Sequence, residues 1–368
     1  MIPTRFALVV CLLVPSPAAH SQTTDQSATD QSASAKIVAA EFRAISAKQP
    51  AAFEKELNEL AGQGFRLERL LDATTIMYQA AVLSRQQPES ATKYEYKLLT
   101  TRNISSIQKE LDAAAGEGYE VRGAMADGKF FVGTDIVIVL DRLTGEKAQR
   151  FLYRILTTNN DPENEFSDGL HKAVSEGYRP IKVIHQIDIG MGGIIRPGKS
   201  TFLAILSRKP GNENVSADDL EYKLLATMRT STLEKEINQA AKQGYRLSLA
   251  SLGRFALMAR DKRNSQPRYE YKLHKLKKQA GEQDLLTYSQ RGFNYHATVT
   301  GTGGPTAVLE HDLQAGANNP TLEYKLLKFP NKVEEKAEFQ KEMSEAVASG
   351  FHILDLTGMG NLAVILVR

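Results

Sequence analysis

Three signals recur six times along this chain in a fixed order, and that periodicity limits what it can fold into more than any other feature. The first is a five-residue run. Glu95-Tyr-Lys-Leu-Leu99 returns as Glu221-Tyr-Lys-Leu-Leu225 and Glu323-Tyr-Lys-Leu-Leu327, with one change as Glu270-Tyr-Lys-Leu-His274, and more weakly as Glu41-Phe-Arg-Ala-Ile45 and Leu152-Tyr-Arg-Ile-Leu156. The second, 21 to 26 residues after the aromatic of each run, is a glycine followed by an aromatic: Gly64-Phe65, Gly118-Tyr119, Gly177-Tyr178, Gly244-Tyr245, Gly292-Phe293 and Gly350-Phe351. The third is a short apolar run that ends, in most units, on arginine: Arg85, Arg142, Arg208, Arg260 and Arg368. The fifth unit offers Ala307-Val-Leu-Glu-His311 instead.

Each signal predicts a piece of one unit. Tyr94, Tyr96 and Leu98 alternate with Glu95 and Lys97, the period of a strand with one buried face. On this reading the tyrosines are core rather than a binding stripe, and Glu and Lys form a solvated pair on the other face worth tenths of a kcal/mol. Ile104, Ile107, Leu111, Ala114 and Ala115 then fall on one helical stripe with Ser105 as N-cap, and Leu233, Ile237, Ala240 and Ala241 repeat the pattern. The glycine marks a helix end that needs a left-handed residue, so a non-glycine replacement at Gly118 is expected to cost about 1 kcal/mol. Tyr119-Glu-Val121 begins a second strand, and the closing run, apolar on both faces, suits a strand flanked on both sides.

The expected fold is therefore α+β: six tandem βαββ units, each a three-stranded sheet with the closing strand in the middle, antiparallel to its neighbours, and one covering helix. Turn-rich linkers divide the chain into a leader at 1–21, a tether at 22–35, and repeats at 36–85, 93–142, 150–208, 219–263, 268–313 and 321–368. A unit this small has two exposed sheet edges and gains by pairing with a neighbour.

Such units resemble a family of small bacterial domains of unknown function that read Glu-Tyr-Lys-hydrophobic, then a helix ending Leu-Asn-Glu-Leu-Gly-x-x-Gly-Trp-Glu-hydrophobic, then a strand closing on basic residues. Glu95-Tyr96-Lys97, Glu110-Leu111, Gly118-Tyr119-Glu120-Val121 and Asp141-Arg142 carry the resemblance, and Leu57-Asn-Glu-Leu-Ala-Gly-Gln-Gly-Phe65 matches the helix end. The chain has Tyr or Phe where the family favours Trp, and no Trp anywhere. The resemblance implies the βαββ fold and brings no activity or catalytic residue with it.

The N-terminal Phe6-Ala-Leu-Val-Val-Cys-Leu-Leu-Val14 run, with Arg5 before it and Ala19-His20-Ser21 after it, reads as a secretory signal peptide cleaved near Ser21. The expected location is periplasmic or secreted. Cys11, the only cysteine, lies inside that run, so the mature chain is expected to lack disulfides and thiolate chemistry. No later stretch reaches the roughly 18 apolar residues of a membrane span, and a net charge of +3 gives little support to nucleic-acid binding.

Gly193-Ile-Ile-Arg-Pro-Gly-Lys-Ser200 fits the phosphate-loop pattern letter for letter. A nucleotide site needs a helix to begin at Lys199-Ser200. Repeat register instead places a strand at 200–208 and makes the motif a hairpin turn. His171, His185, His274, His296, His311 and His352 have no metal-site spacing among them, His185 and Asp188 read as surface polarity, and Glu334-Glu335 and Asp218-Asp219 sit at helix starts or linkers. No catalytic, cofactor or metal residue is therefore assigned. The longest variable element, Gln186 to Lys199, is the expected contact surface for an unidentified protein or cell-envelope partner. The sequence thus points to an exported, non-enzymatic interaction or scaffold module. The competing class is a ligand-binding or hydrolytic protein whose site forms between repeats.

Overall fold

Local alternation sets the strands, and a three-to-four-residue apolar period sets the helices. The computed structural model describes residues 40–71, 79–86, 93–101, 104–129, 133–145, 147–148, 150–158, 164–189, 195–211, 219–226, 230–251, 255–276, 280–301, 304–316, 319–330, 332–357 and 363–368. The leader and tether expected at 1–35 lie outside them, as do parts of several expected linkers and the residues 190–194 of the third hairpin.

In the first unit β1 (Ala40–Ala47) leads to α1 (Pro50–Gly62), β2 (Arg66–Leu70) and β3 (Gln79–Gln86). The second has β4 (Tyr94–Thr101), α2 (Ile104–Gly116), β5 (Glu120–Lys129) and β6 (Gly133–Leu143). The third has β7 (Leu152–Thr158), α3 (Asn164–Ser175), β8 (Arg179–Ile189) and β9 (Ile195–Arg208). The fourth has β10 (Leu220–Ala226), α4 (Thr230–Ala241), β11 (Arg246–Ser251) and β12 (Phe255–Asp261). In the fifth come β13 (Tyr269–Lys275), α5 (Gly281–Ser289), β14 (Asn294–Gly301) and β15 (Gly304–Asp312), and in the sixth β16 (Tyr324–Lys328), α6 (Val333–Ala348), β17 (His352–Thr357) and β18 (Ala363–Val367). Every sheet has the order first-third-second, with the closing strand in the middle and antiparallel to both neighbours.

The middle strands are apolar on both faces because each sheet is covered twice. Phe53, Leu57 and Ala61 of α1 pack on Ile45, Ala81 and Leu83 of their own sheet and on Tyr96, Val137 and Val139 of the next. The same arrangement joins the second unit to the third, the third to the fourth, the fourth to the fifth and the fifth to the sixth. It also joins the last to the first: Phe339, Met343 and Ala346 of α6 lie in one core with Leu327 and Val364 of the sixth sheet and Phe42, Ala44, Ala80 and Val82 of the first. Among the described residues six α-helices and six sheets thus alternate around a closed ring. A Lys336–Glu56 pair at 3.5 Å crosses the closing junction.

Closure leaves the outer edge of each first strand exposed, and the preceding helix covers several of these edges with amide and carboxylate side chains. Asn58 donates to the Tyr96 carbonyl at 2.9 Å and accepts from its N–H at 2.8 Å, while Glu54 accepts from Leu98 N–H. Asn238 and Glu234 do the same for Tyr271 and Leu273. Gln108 spans Tyr153 and Ile155, and Glu282 takes the N–H of Leu326.

The three repeated sequence signals meet in space. Arg142 stacks 4.5 Å from the Tyr119 ring, pairs with Glu95 at 2.7 Å and donates to the Glu117 carbonyl at the end of α2. Arg85, Arg260 and Arg368 repeat this contact set with Phe65 and Glu41, Tyr245 and Glu221, and Phe351 and Glu323. In the third unit Arg208 stacks on Tyr178 and reaches the Glu176 carbonyl, and in the fifth His311 packs on Phe293. The glutamate of the second unit thus pairs with the closing arginine rather than with Lys97, which reaches Glu117 instead. The six glycines all hold φ between 84° and 90°. Ser105 stands inside the first turn of α2 rather than before it, because the helix begins at Ile104, two residues earlier than a cap at Ser105 requires.

Candidate functional site

Successive second strands meet around the ring and form its inner wall: β5 approaches β8, β8 approaches β11, β11 approaches β14, and β17 returns to β2. Arg69 donates to the carbonyls of Leu354 and Ile353 across that last junction. All six strands carry a bulge at the same place, seen at Leu67/Arg69, Val121/Gly123, Pro180/Lys182, Leu247/Leu249, Tyr295/Ala297 and Ile353/Asp355. A bulge frees a backbone N–H from the ladder. The tyrosine of the next unit's first strand takes it: Leu67 donates to Tyr96 at 2.7 Å, and Val121 to Tyr153, Leu247 to Tyr271 and Tyr295 to Tyr324 at 2.9 Å each. These tyrosines are core, as their alternation implied, and their hydroxyls join neighbouring units. The series breaks twice, at Pro180, which has no N–H to offer Tyr222, and at Phe42, which has no hydroxyl.

Buried acid–arginine pairs enter this wall in the second and fifth units. In the second unit Asp141 lies cross-strand from Tyr96 and Glu120, and Arg122 donates to it at 2.6 Å. Burial pushes the Asp141 carboxyl above its ordinary range despite Arg122. In the fifth unit Glu310 holds the equivalent place. Arg246 grips both of its oxygens, Tyr271 donates to it at 2.7 Å, and His296 lies 3.5 Å away. Burial raises Glu310 too, but His296 and Arg246 outweigh it and hold the carboxyl below its ordinary range.

These correspondences reveal a second order within the ring. Glu54 and Asn58 recur as Glu234 and Asn238, Arg66 over Tyr94 recurs as Arg246 over Tyr269, and Asp141 recurs as Glu310. Units one and two thus correspond to units four and five, on opposite sides of the ring. The signal was present in the sequence as Gln63-Gly-Phe-Arg-Leu67 against Gln243-Gly-Tyr-Arg-Leu247 and Tyr94-Glu-Tyr against Tyr269-Glu-Tyr.

The two halves differ at the junction of units five and six. Between units five and six a cavity of about 170 Å³ is lined by Tyr295 to Thr298, Leu354 to Thr357 and Ala250. Tyr295 donates to the Asp355 carboxylate and meets the Thr298 hydroxyl at 2.6 Å. Asp355 also accepts from Leu356 N–H at 2.8 Å. His296 is turned away from acid–base work, with Nε2 at 3.1 Å from the Leu247 carbonyl and Nδ1 toward Glu310. The Thr357 hydroxyl is buried and makes no hydrogen bond among the described residues. At the junction of units two and three the matching positions are Val121, Ala124, Lys182 and Ile184. The site therefore sets a phenol and two threonine hydroxyls where that junction is aliphatic, and a carboxylate where it has a lysine. Single-residue periodicity did not reveal it, because its members come from different units.

The sequence motifs fall elsewhere. Lys199 and Ser200 belong to β9, which pairs with β8 through Ile187↔Ser200 and Ile189↔Ile195, so no helix begins there and the phosphate loop is ruled out. The same pairing corrects the extent of the third hairpin, whose Gln186–Ile189 and Ile195–Lys199 ends are ladder rather than loop. His171 is exposed on α3, and His352 is held below its ordinary range by burial and Arg69. His274 is brought to Asp284 at 2.9 Å, a pairing between β13 and α5 that sequence spacing did not suggest. Glu334 and Glu335 occupy the first turn of α6. No group of metal-holding side chains occurs among the described residues. No protein-family model matches the chain, and no curated protein matches it.

Proposed function

We propose that this chain is an exported, non-enzymatic ring that serves as an interaction or scaffold module for a protein or cell-envelope partner. The observation that carries this reading is the unequal length of the hairpins joining second to third strands. β11 ends at Ser251, whereas β8 continues to Ile189 and β5 to Lys129, well past the equivalent positions Ile184 and Met125. β6 and β8 run against each other, so the two long hairpins extend together from one part of the ring. A closed ring supplies the rigid base from which such an element presents a binding surface. Export rests on the Arg5 to Ser21 leader pattern.

The test is removal of residues 190–198 followed by capture of partners from extracytoplasmic extracts. Loss of one or more captured proteins, with the ring still folded by circular dichroism, is expected. Retention of every partner overturns the hairpin as contact surface. A second reading, a ligand-binding protein with a site between repeats, is favoured by the cavity at the junction of units five and six.

A further inference from the structure

We propose that the cavity between units five and six binds a small alkylammonium ion. The proposal rests on the ligand-binding reading just given and names its ligand class.

The repeat itself shows how unusual this seam is. At the place held by Tyr295 the other units carry Leu67, Val121, Pro180, Leu247 and Ile353, all without a side-chain polar atom. At the place held by Asp355 in unit six, unit five has Ala297, unit four Leu249, unit three Lys182, unit two Gly123 and unit one Arg69, so no other unit has a carboxylate there. The phenol, the carboxylate and two threonines thus come together at one junction of the ring. Folding alone does not require them, since the other junctions close without this set.

Their hydrogen bonds leave acceptors facing the space. The Tyr295 hydroxyl gives its hydrogen to Asp355. Thr298, 2.6 Å from the same hydroxyl, then donates toward it and keeps its own lone pairs for a ligand. Thr357, 3% exposed, contributes a hydroxyl with no protein partner among the described residues. A buried polar group without a partner is rare and points to something missing from the site. One carboxylate with two hydroxyl acceptors suits a group with several N–H donors and a positive charge. Ala250, Ala297, Leu354 and Leu356 suit an aliphatic stem, and His296 completes the lining with its ring nitrogens toward the Leu247 carbonyl and Glu310. A volume of about 170 Å³ resembles cavities of roughly 150 Å³ that take benzene, so a stem and head of about five or six heavy atoms fit.

The experiment titrates n-butylammonium chloride into the full chain by calorimetry at fixed ionic strength, with n-butanol as the uncharged counterpart. Saturable one-to-one binding of the ammonium, with butanol weaker by about tenfold or more, is expected. Asp355→Asn abolishes it. Thr357→Val, which removes a hydroxyl without a hydrogen-bond partner among the described residues, weakens binding by about tenfold while leaving the melting temperature of the free protein unchanged or higher. That second variant keeps the test decisive if Asp355→Asn does not fold. Butanol binding as tightly as the ammonium, with Thr357→Val weakening both, overturns the ammonium assignment and keeps a site between repeats. Absence of saturable binding by either probe, or binding undiminished in Thr357→Val, overturns both the assignment and the ligand-binding reading at this junction.

Discussion

Pro180 provides an internal control for what the buried tyrosines contribute. Tyr153 and Tyr222 occupy equivalent places, 5% and 6% exposed, so substitution by phenylalanine removes the same hydroxyl from nearly the same burial. Tyr153 accepts the Val121 N–H at 2.9 Å, whereas the residue facing Tyr222 is proline. Tyr153→Phe therefore strands a backbone donor freed by the bulge, at a cost of about 1–3 kcal/mol. Tyr222→Phe removes a desolvated hydroxyl that receives no such bond, and its effect is within about 0.5 kcal/mol of zero or stabilising. Phe42, which already stands at this place in the first unit, is the natural form of that replacement. Urea denaturation of both variants with a common slope measures the difference, and amide exchange at Val121 locates it. Equal destabilisation by the two substitutions refutes the argument, because burial alone then accounts for the tyrosines.

Three further outcomes follow from the packing. Gly244→Ala costs more than Gly350→Ala: both glycines hold a positive φ, but the added methyl at Gly244 meets the Ser265 carbonyl oxygen at 2.3 Å and at Gly350 meets nothing within 4 Å, so thermal denaturation shows about 1–2 kcal/mol at Gly350 and a larger loss at Gly244. Because Glu310 titrates below its ordinary value of 4.5, its contribution is present above that pH and is lost as pH falls through the lower folded value, so the stability gap between wild type and Glu310→Gln is widest near pH 7 and narrows in acid denaturation series. Phe339→Ala in α6 costs about 3–5 kcal/mol, and hydrogen exchange rises in β1 and β3 as well as in the sixth unit. Unchanged exchange in β1 and β3 contradicts closure of the ring.

Much of the unit was legible because its signals are short-range. Alternation at Tyr94, Tyr96 and Leu98 gave the first strand, the Ile107, Leu111, Ala114 and Ala115 stripe gave the helix, and Gly118 marked its end at φ 89°. Register between units also carried weight, since it assigned Lys199 and Ser200 to a strand against a literal motif match. What stayed hidden depends on pairs far apart in the chain. Glu95 and Arg142 were both recognised as recurring residues, yet their contact with each other required the sheet order to be known.

Sequence alone determined six copies of one βαββ unit, because strand and helix periods are properties of neighbouring residues and each unit states them afresh. The tertiary structure decided that the copies close into a ring, since closure depends on the angle added at each helix-on-sheet junction, which no local pattern encodes. It also decided which repeated positions carry chemistry. Tyr295 and Asp355 are unremarkable in their own units, and only the packing of β14 against β17 sets the phenol on the carboxylate beside a cavity.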